Sequence, residues 1–178
     1  MNKLNFKKTL IKDVYIIKGL KKKDSRGYFS KNFSISLLNQ LNLNFSIKEI
    51  NTSLNINKGT IRGLHYLDYY KKEFKIIHCI KGKIFDVFVD LRKSSKTFSK
   101  WKSKILHENT NDLILIPPGV AHGYQTLTKN TIVLYYTSSI YKKKYDKGIN
   151  PFDKKISIKW PIKTSIISKR DKFLNFLD

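Results

Sequence analysis

The four histidines of the chain are its first candidates for chemistry, because histidine both binds divalent metals and transfers protons near neutral pH. They are His65, His78, His107 and His122. A divalent-metal site in a β-rich protein is typically indicated by two histidines separated by one residue, together with a carboxylate and a later histidine. No such pair occurs, since Tyr66 and Leu67 follow His65. We therefore predict no metal site.

A second set of polar residues lies in strand-like segments around His65. Arg62 is three residues before it, which places the two side chains on opposite faces of a regular strand. Gly63 lies between them, and a local distortion at this glycine would let both side chains face one pocket. Lys75 stands in the next strand-like segment and Tyr135 in a later one. Taken singly, each of these residues is more often structural than catalytic.

The elements that would position these residues are short β segments separated by turns, from about residue 46 onward. The predicted strands are residues 60–66, 74–80, 84–91, 102–106, 112–116, 123–127 and 131–137. In the third, Asp86 and Asp90 alternate with Phe85, Val87 and Val89, a pattern typical of a half-buried strand. The regular spacing of turns predicts an all-β sandwich or barrel. We also predict a short helix over residues 34–41 with Ser34 or Ser36 as its cap.

The composition is that of a folded protein, with 40% hydrophobic residues over 178 positions, and we expect residues 1–178 to form a single domain. No stretch has the roughly 18 consecutive apolar residues needed to cross a bilayer. The N-terminal residues lack the apolar core of a secretory signal. Cys79 is the single cysteine, so we expect no internal disulfide and a reducing, cytoplasmic location.

The formal charge of +23 is the most unusual bulk feature. It fits a nucleic-acid binder, a membrane-surface binder or an enzyme with an anionic substrate, but a lysine-rich composition without a function explains it better. The lysines form short scattered runs, and no basic helix or zinc-ligand set accompanies them. We therefore predict neither a nucleic-acid nor a membrane partner. A non-catalytic basic β-barrel that binds an anionic glycan or nucleic acid remains the alternative.

Several short motifs occur in a fixed order along the chain. They are Asp24-x-Arg26-Gly27-Tyr28-Phe29, Asn51-x-Ser53, Gly59-Thr60-x-Arg62-Gly63-Leu64-His65-Tyr66, Asp86-Val87-x-Val89-Asp90-Leu91-Arg92, Ser95-x-Thr97-Phe98, Ile116-Pro117-x-Gly119-x-Ala121-His122-Gly123, Trp160-Pro161 and Ser168-x-Arg170-Asp171. Together they resemble the dTDP-4-dehydrorhamnose 3,5-epimerase family over residues 10–175. Each motif is weak alone, and their common order makes the resemblance specific.

The resemblance implies a cupin-like jelly-roll barrel with a few short helices, a homodimer, and neither a metal nor an organic cofactor. It implies a nucleotide-diphosphate 4-keto sugar as substrate, used in making a surface polysaccharide. The implied catalytic residues are the base His65 with its partner Asp171, the acid Tyr135, and the cation Lys75 near the C4 oxygen. The implied substrate-binding residues are Arg26, Phe29, Lys31, Glu49, Arg62, His122, Tyr141 and Asp146.

The chemistry of such a substrate explains why these residue types are needed. A ketone at C4 makes the hydrogens at C3 and C5 acidic, and removal of either one leaves an enolate with its charge on the C4 oxygen. An imidazole is a suitable base near neutral pH, a carboxylate can fix its tautomer, and a lysine can stabilise the oxyanion. A tyrosine on the other side of the ring can return the proton with inversion.

The chain departs from the family pattern where a nucleotide and sugar would be held. Lys31 replaces a glutamate, Glu49 and Leu67 replace glutamines, and residues 148–153 are atypical. The nucleotide (dTDP, GDP or CDP) therefore stays open, as does a GDP-linked 4-keto-heptose and inversion at C3, C5 or both. Related 3,4-ketoisomerases carry Arg-Gly-x-His-x-His, and the second histidine is absent here.

Overall fold

The computed structural model describes residues 5–67 and 73–177. Strands dominate these residues, as the sequence predicts. The first half contains β1 (Asn5–Lys8), β2 (Tyr15–Lys18), β3 (Leu20–Asp24), β4 (Gly27–Lys31), α1 (Ile35–Gln40), β5 (Glu49–Asn55), β6 (Thr60–Leu67), β7 (Lys75–Lys81) and β8 (Lys83–Asp90). The second half contains β9 (Trp101–His107), β10 (Asp112–Ile116), β11 (Val120–Thr126), β12 (Thr131–Thr137), a 3-10 turn (Lys143–Tyr145), β13 (Asp146–Gly148), β14 (Ile166–Ile167) and α2 (Lys169–Lys172).

Most of the strands form two sheets. The first has the order β1-β2-β10-β7-β12-β5, with antiparallel pairing throughout. The second has the order β13-β6-β11-β8-β9, and β14 pairs in parallel with β6. Strands that follow each other in the chain often lie in different sheets, as in a jelly roll. The predicted all-β, cupin-like jelly-roll class is confirmed.

The core between the sheets takes one face of each strand. Ile77 and Val133 contribute from the first sheet, and Ile84, Phe88 and Tyr124 from the second. The outer face of the first sheet is covered by a second apolar cluster, to which α1 contributes Leu37. The outer face of the second sheet is covered by the C-terminal third of the chain.

Strand β8 shows where the sequence pattern was interpreted wrongly. Its alternation is real, since Phe88 packs in the interior and Val87 packs on the outer face. The prediction of a half-buried strand is wrong, because both faces are buried and Asp86 and Asp90 are each 0% exposed. Two charged residues made one face look solvent-facing, but Asp86 points inward, where the histidine ring of His122 pairs with it at 2.7 Å.

The other predicted elements agree with the structure to within a few residues. Strand β11 begins at Val120 rather than 123, directly after the Pro117-Pro118-Gly119 turn. Helix α1 lies where it was predicted, with Ser34 as its N-cap residue. The Ser34 hydroxyl makes no capping hydrogen bond and instead contacts Ser36. Neither α-helix in the described part of the chain is long and apolar enough to span a membrane.

Strands β3 and β4 form a hairpin that is separate from both sheets. Its outer part is exposed, with Tyr28 at 58% and Phe29 at 72% of their full accessible surface. The hairpin is tied to the rest of the chain near its base, where the Lys21 ammonium donates to the carbonyl oxygen of Glu108. Arg26 at its tip pairs locally, with Asp24.

Asp90 at the end of β8 is the centre of a hydrogen-bond cluster. Its carboxylate accepts from the Arg92 guanidinium at 2.8 and 2.9 Å and from the hydroxyls of Ser95 and Thr97 at 2.6 Å each. Burial alone would raise the pKa of Asp90, but these hydrogen bonds outweigh it and lower the pKa to about 2. The cluster fixes the loop that follows β8.

We predict that Asp90→Asn lowers the free energy of unfolding by about 2 kcal/mol at pH 7, because the lowered pKa is itself a stabilising term of that size. That term is present above the ordinary value of 3.8 and is lost as the pH falls toward about 2. Urea unfolding of both proteins at pH 7 and near pH 3 measures it, and the difference should shrink in acid. Asp13→Asn, which alters a more exposed carboxylate 3.5 Å from the same arginine, is the control. An equal loss in both variants would contradict the prediction.

Candidate active site

An irregularity in β6 brings Arg62 and His65 to one side of the sheet. His65 lies opposite His122 of β11, and Arg62 lies opposite Tyr124. Between these two pairs β6 therefore has one more residue than β11. This is the geometry of a β-bulge. The predicted distortion at Gly63 is therefore present.

Only glycine fits at position 63. Its φ of +116° is a conformation that side chains with a Cβ rarely adopt. A Cβ placed there would lie 2.6 Å from the Cα of Gly123 and 2.7 Å from the carbonyl oxygen of His122. The bulge thus depends on close approach of the β6 and β11 backbones.

The His65 ring is held by Asp171. Its Nε2 lies 2.7 Å from Oδ1 of the carboxylate, while Oδ2 accepts the backbone N–H of Gly63 at 3.0 Å. Burial alone would raise the pKa of Asp171, but the hydrogen bond and charge interaction with His65, with help from Gly63 and Ser168, lower it. Asp171 is therefore a carboxylate acceptor, so Nε2 donates the proton of this hydrogen bond, which leaves Nδ1 as the ring nitrogen that a base would use.

The C-terminal segment delivers Asp171 to this position. Strand β14 pairs with the start of β6, and α2 follows directly. Ser168 caps α2 by accepting the N–H of Asp171 at 3.0 Å. The segment after Trp160-Pro161 thus packs back on the second sheet.

A pocket of about 300 Å³ opens beside the His65 ring. Its lining residues are Glu49, Asn51, His65, Leu67, Glu73, Lys75, Tyr135, Thr137, Tyr141, Asp146 and Arg170. Six of the predicted site residues thus share one pocket, and Asp171 touches it through His65. Both sheets contribute, which is why the residues are far apart in sequence.

Lys75 is paired inside this pocket. Its ammonium lies 3.0 Å from a carboxylate oxygen of Glu73, and the two side chains are only 16% and 9% exposed. The other Glu73 oxygen accepts the hydroxyl of Ser139 at 2.9 Å. The pair holds a positive charge at a fixed place in the pocket wall.

Tyr135 lies at the inner end of a polar network. Burial, together with the charge and hydrogen bond of Tyr124, raises its pKa well above the ordinary value, so the phenol stays protonated. The Tyr124 hydroxyl is in turn 3.1 Å from Nδ2 of Asn55, whose Oδ1 accepts from Nε of Arg62 at 2.7 Å. The network links the predicted substrate-binding residue Arg62 to the predicted acid.

His122 lies beneath the pocket and does not line it. It is 5% exposed, its Nε2 is 2.7 Å from Asp86, and its ring meets that of Tyr135 edge-on at 6.2 Å. Burial raises the pKa of Asp86, and the attraction of His122 opposes that rise. His122 therefore supports Tyr135 from below in this structure.

Besides His122, four predicted substrate-binding residues do not line the pocket of the same chain: Arg62, which is connected toward Tyr135 through Asn55 and Tyr124, and three residues of the β3–β4 hairpin. Arg26 and Phe29 lie on the exposed part of the β3–β4 hairpin, and the Arg26 side chain is 88% exposed. Lys31 is half-buried at the end of β4, opposite Leu20. The hairpin is thus a separate candidate surface.

The mouth of the pocket carries both an aromatic ring and charged groups. The Tyr141 hydroxyl donates to Asp146 at 2.9 Å, and Asp146 also pairs with Arg170 at 2.8 Å. Glu49 accepts the backbone N–H of Tyr141 at 3.0 Å and the Asn51 amide at 3.3 Å. The Tyr141 ring is 55% exposed, so it offers a flat surface to a ligand.

The sequence profile of the dTDP-4-dehydrorhamnose 3,5-epimerase family matches residues 8–178. The chain belongs to this family. The epimerase of that name from Shigella flexneri is 35% identical over 169 residues, which are 94% of this chain and 93% of that protein.

Solved structures of epimerases give the same result. The dTDP-4-dehydrorhamnose 3,5-epimerase of Bacillus anthracis, with TDP and PPi bound, has a TM-score of 0.94 at 35% identity, covering 98% of this chain and 100% of that one. The dTDP-6-deoxy-D-glucose-3,5-epimerase of Legionella pneumophila, in complex with dTDP-4-keto-L-rhamnose, has a TM-score of 0.92 at 28% identity, covering 98% and 93%. The predicted family and the predicted class, a nucleotide-sugar epimerase, are confirmed.

Several residues of the epimerase pocket were missed by the sequence analysis. Glu73 and Arg170 are the important ones, because each pairs with a predicted site residue. Arg170 adjoins Asp171 in a recognised motif, so its position was a usable signal. Asn55 and Tyr124 had a weaker signal, since each is only a polar side chain at a strand position. The structure shows that they are buried, at 2% and 1% exposed.

No three histidine, cysteine, aspartate or glutamate side chains converge as metal ligands within residues 5–67 and 73–177. Two histidines each pair with one carboxylate: Nε2 of His65 lies against Asp171, and Nε2 of His122 lies against Asp86. The carboxylates are thus arranged as partners of imidazole.

We predict that Gly63→Ala disrupts the epimerase pocket, because a Cβ at this position meets backbone atoms at 2.6 and 2.7 Å and must push β6 from β11. The expected loss of stability is about 1–3 kcal/mol, with a fall in kcat of about 100-fold from the misplaced His65. Urea unfolding and steady-state kinetics measure the two effects. Gly27→Ala is the control for stability, since its positive φ is similar but its Cβ meets nothing within 4 Å. A fully active Gly63→Ala variant would show that the bulge does not position His65.

Proposed function

We propose that this epimerase inverts C3, C5 or both carbons of a nucleotide-activated 4-keto sugar, with His65 as the base and Tyr135 as the acid. The observation that carries the proposal is the single pocket that contains His65, Tyr135 and Lys75, with Asp171 behind the base. A base, an acid and an oxyanion partner are the groups that this reaction requires.

In the first step, Nδ1 of His65 takes a proton from the carbon next to the ketone. Asp171 accepts the hydrogen bond from Nε2 and stabilises the imidazolium that forms. The His65 side chain is 30% exposed, so it is reachable from the pocket, whereas the Asp171 side chain is only 5% exposed. The carboxylate therefore acts through the imidazole.

The enolate charge that results gathers on the C4 oxygen. Lys75 is a cation of the pocket wall, and its position is set by Glu73. In a site that excludes water, a cation that binds the developing oxyanion lowers the activation barrier by about several kcal/mol. We propose that the C4 oxygen binds the Lys75 ammonium on the side that Glu73 leaves free.

Tyr135 then returns a proton to the other face of the ring. Its raised pKa keeps it protonated, and an enolate carbon is basic enough to take a proton from a phenol. Its partner Tyr124 lies in the network that ends at Arg62. Membership in an enzyme family disfavours the alternative of a non-catalytic basic barrel.

We further propose that the enzyme works as a homodimer in the cytoplasm. Arg26 and Phe29 lie on an exposed hairpin away from their own pocket, and a second copy would give them one to enter. The edge strand β5 also exposes Ile50 and Leu54, at 61% and 56%. The single cysteine, Cys79, is buried, which suits a reducing compartment.

The nucleotide is the open element of the substrate. The relatives named above are dTDP-sugar enzymes, which makes dTDP the first candidate. Glu49 at the mouth presents acceptor oxygens only, next to the exposed ring of Tyr141. Thymine flanks its single N–H with two carbonyl oxygens, whereas guanine offers adjacent N–H donors that a carboxylate can accept in pairs. This chemistry makes a GDP-linked sugar the second candidate.

We predict that wild-type enzyme in deuterated water incorporates deuterium at C3, C5 or both carbons of a dTDP-, GDP- or CDP-linked 4-keto sugar. His65→Ala should lower the rate of this exchange by about 10²- to 10⁴-fold, since the base is lost. NMR of the sugar protons measures both the carbon and its stereochemistry. His107→Ala, a histidine outside the pocket, is the matched control. Exchange at wild-type rate in His65→Ala would disprove the role of His65.

We predict a different effect for Tyr135→Phe, because it removes the acid and keeps the base. Deuterium should still enter from the face of His65, while formation of the inverted product should fall by about 100-fold or more. The ratio of exchange to inversion in one NMR time course measures this. Tyr136→Phe is the matched control, since its ring packs on the outer face of the sheet. Equal loss of exchange and inversion in Tyr135→Phe would contradict the assigned role.

A further inference from the structure

The loop of residues 148–153, which departs from the family pattern, contacts both β6, which carries His65, and the residues that follow Asp171. It leaves β13 at Gly148, whose Cα is in register with that of His65. Its next residue, Ile149, exchanges two backbone hydrogen bonds with Leu64, at 3.0 and 3.2 Å. The loop is therefore fixed to β6 at the residue next to the base.

Asn150 joins the same loop to the segment that carries Asp171. Its side-chain Nδ2 donates to the carbonyl oxygens of Lys172 at 3.0 Å and Leu174 at 3.2 Å. Its backbone N–H donates to the carbonyl oxygen of Asn175 at 2.9 Å. Three carbonyls just after Asp171 thus converge on one residue, which is 5% exposed.

These contacts satisfy a need of α2. The last carbonyl groups of a helix have no partner within the helix, and a helix of four residues gains little stability from its own hydrogen bonds. Ser168 caps the start of α2, and the Asn150 amide takes the carbonyl of Lys172 at its end. Asn150 itself is oriented, because its Oδ1 accepts the N–H of Phe152 at 3.0 Å.

We infer that Asn150 is a positioning residue that holds the Asp171 carboxylate against His65. It does so by fixing α2 to the strand of the base through one short loop. The inference rests on the proposed function only for its effect on catalysis, since the geometry it describes exists without substrate. Asn150 does not line the pocket, so it acts on the reaction through Asp171.

Asn150→Asp is the sharpest test. It keeps the oxygen that Phe152 needs, and it replaces the amide donor with an oxygen facing two carbonyls. Asn150→Ser is the second variant, in case the first does not fold. Gln125→Ala is the matched control: Gln125 is a buried amide that likewise binds the C-terminal segment, through the backbone of Ile162 at 2.9 and 3.3 Å. Urea unfolding of each protein establishes that the variants are compared in the folded state.

The first readout needs no activity. The N–H of Gly63 is bonded to Asp171, so its hydrogen exchange reports whether the carboxylate is in place. We expect about tenfold faster exchange at Gly63 in the Asn150 variants and no change in Gln125→Ala. Unchanged exchange at Gly63 in a folded Asn150 variant would overturn the inference, whatever the substrate proves to be.

The second readout is kinetic. We expect kcat to fall by about tenfold in the Asn150 variants, with KM within about twofold of wild type, because the base is misplaced and the binding residues are not. In an Asp171→Asn background the same substitution should cost less than about twofold, since the group it positions is already removed. An equal loss in both backgrounds would mean that Asn150 acts independently of Asp171 and would overturn the inference. Absence of activity in wild type would refute the proposed function, while exchange at Gly63 would still decide the role of Asn150.

Discussion

The hydrogen bond between His65 and Asp171 is the interaction on which the site depends. It joins residues 106 positions apart, and Asp171 uses its second oxygen to bind the backbone beside the bulge. One carboxylate thus fixes the ring, its tautomer and the local course of β6. The bulge at Gly63, the cap at Ser168 and the clamp at Asn150 all serve to keep this contact in place.

The space between the sheets is divided between apolar packing and polar pairing. Toward one end it is filled by residues such as Ile77, Phe88 and Val133. Toward the pocket, buried polar groups have polar partners: Asp86 pairs with His122, and Asn55 accepts from Arg62, an exposed residue. Leaving one partner of such a pair buried alone costs about 1–3 kcal/mol or more, so these pairs rigidify the pocket as well as serve chemistry.

Much of the fold could be predicted, because period-two alternation and turn residues mark β strands directly. Alternation does not tell which face of a strand is buried. The acidic face of β8 was therefore expected to face solvent, although Asp86 points inward and pairs with His122. The N-terminal strands were missed for a related reason: lysines interrupt their patterns, as in the Leu20–Asp24 strand. The 3-10 turn at Lys143–Tyr145 likewise carries no periodic signal.

The candidate site was predictable as a set of residues, and its geometry was not. The motifs contain His65 and Asp171, and the family resemblance that they carry implied Lys75 and Tyr135. The fold brings these residues to one pocket or against its edge. Glu73 was not identified, because it lies just before β7, two residues ahead of Lys75. No sequence pattern shows that these two side chains form an ion pair, which depends on tertiary packing. The separate hairpin was also not foreseen, since nothing in a local pattern shows whether a strand joins the main sheets.

The wide sequence separation within the His65–Asp171 pair has a consequence for how the protein is made. Contacts between residues far apart in sequence form late in folding, because the entropy cost of closing a long loop comes before the stabilisation from the contact. During synthesis all strands of the first sheet are made before the segment that carries Asp171, so this sheet can begin to form while that segment is still inside the ribosome. The His65–Asp171 contact can therefore form only after the strands that surround the pocket have been made.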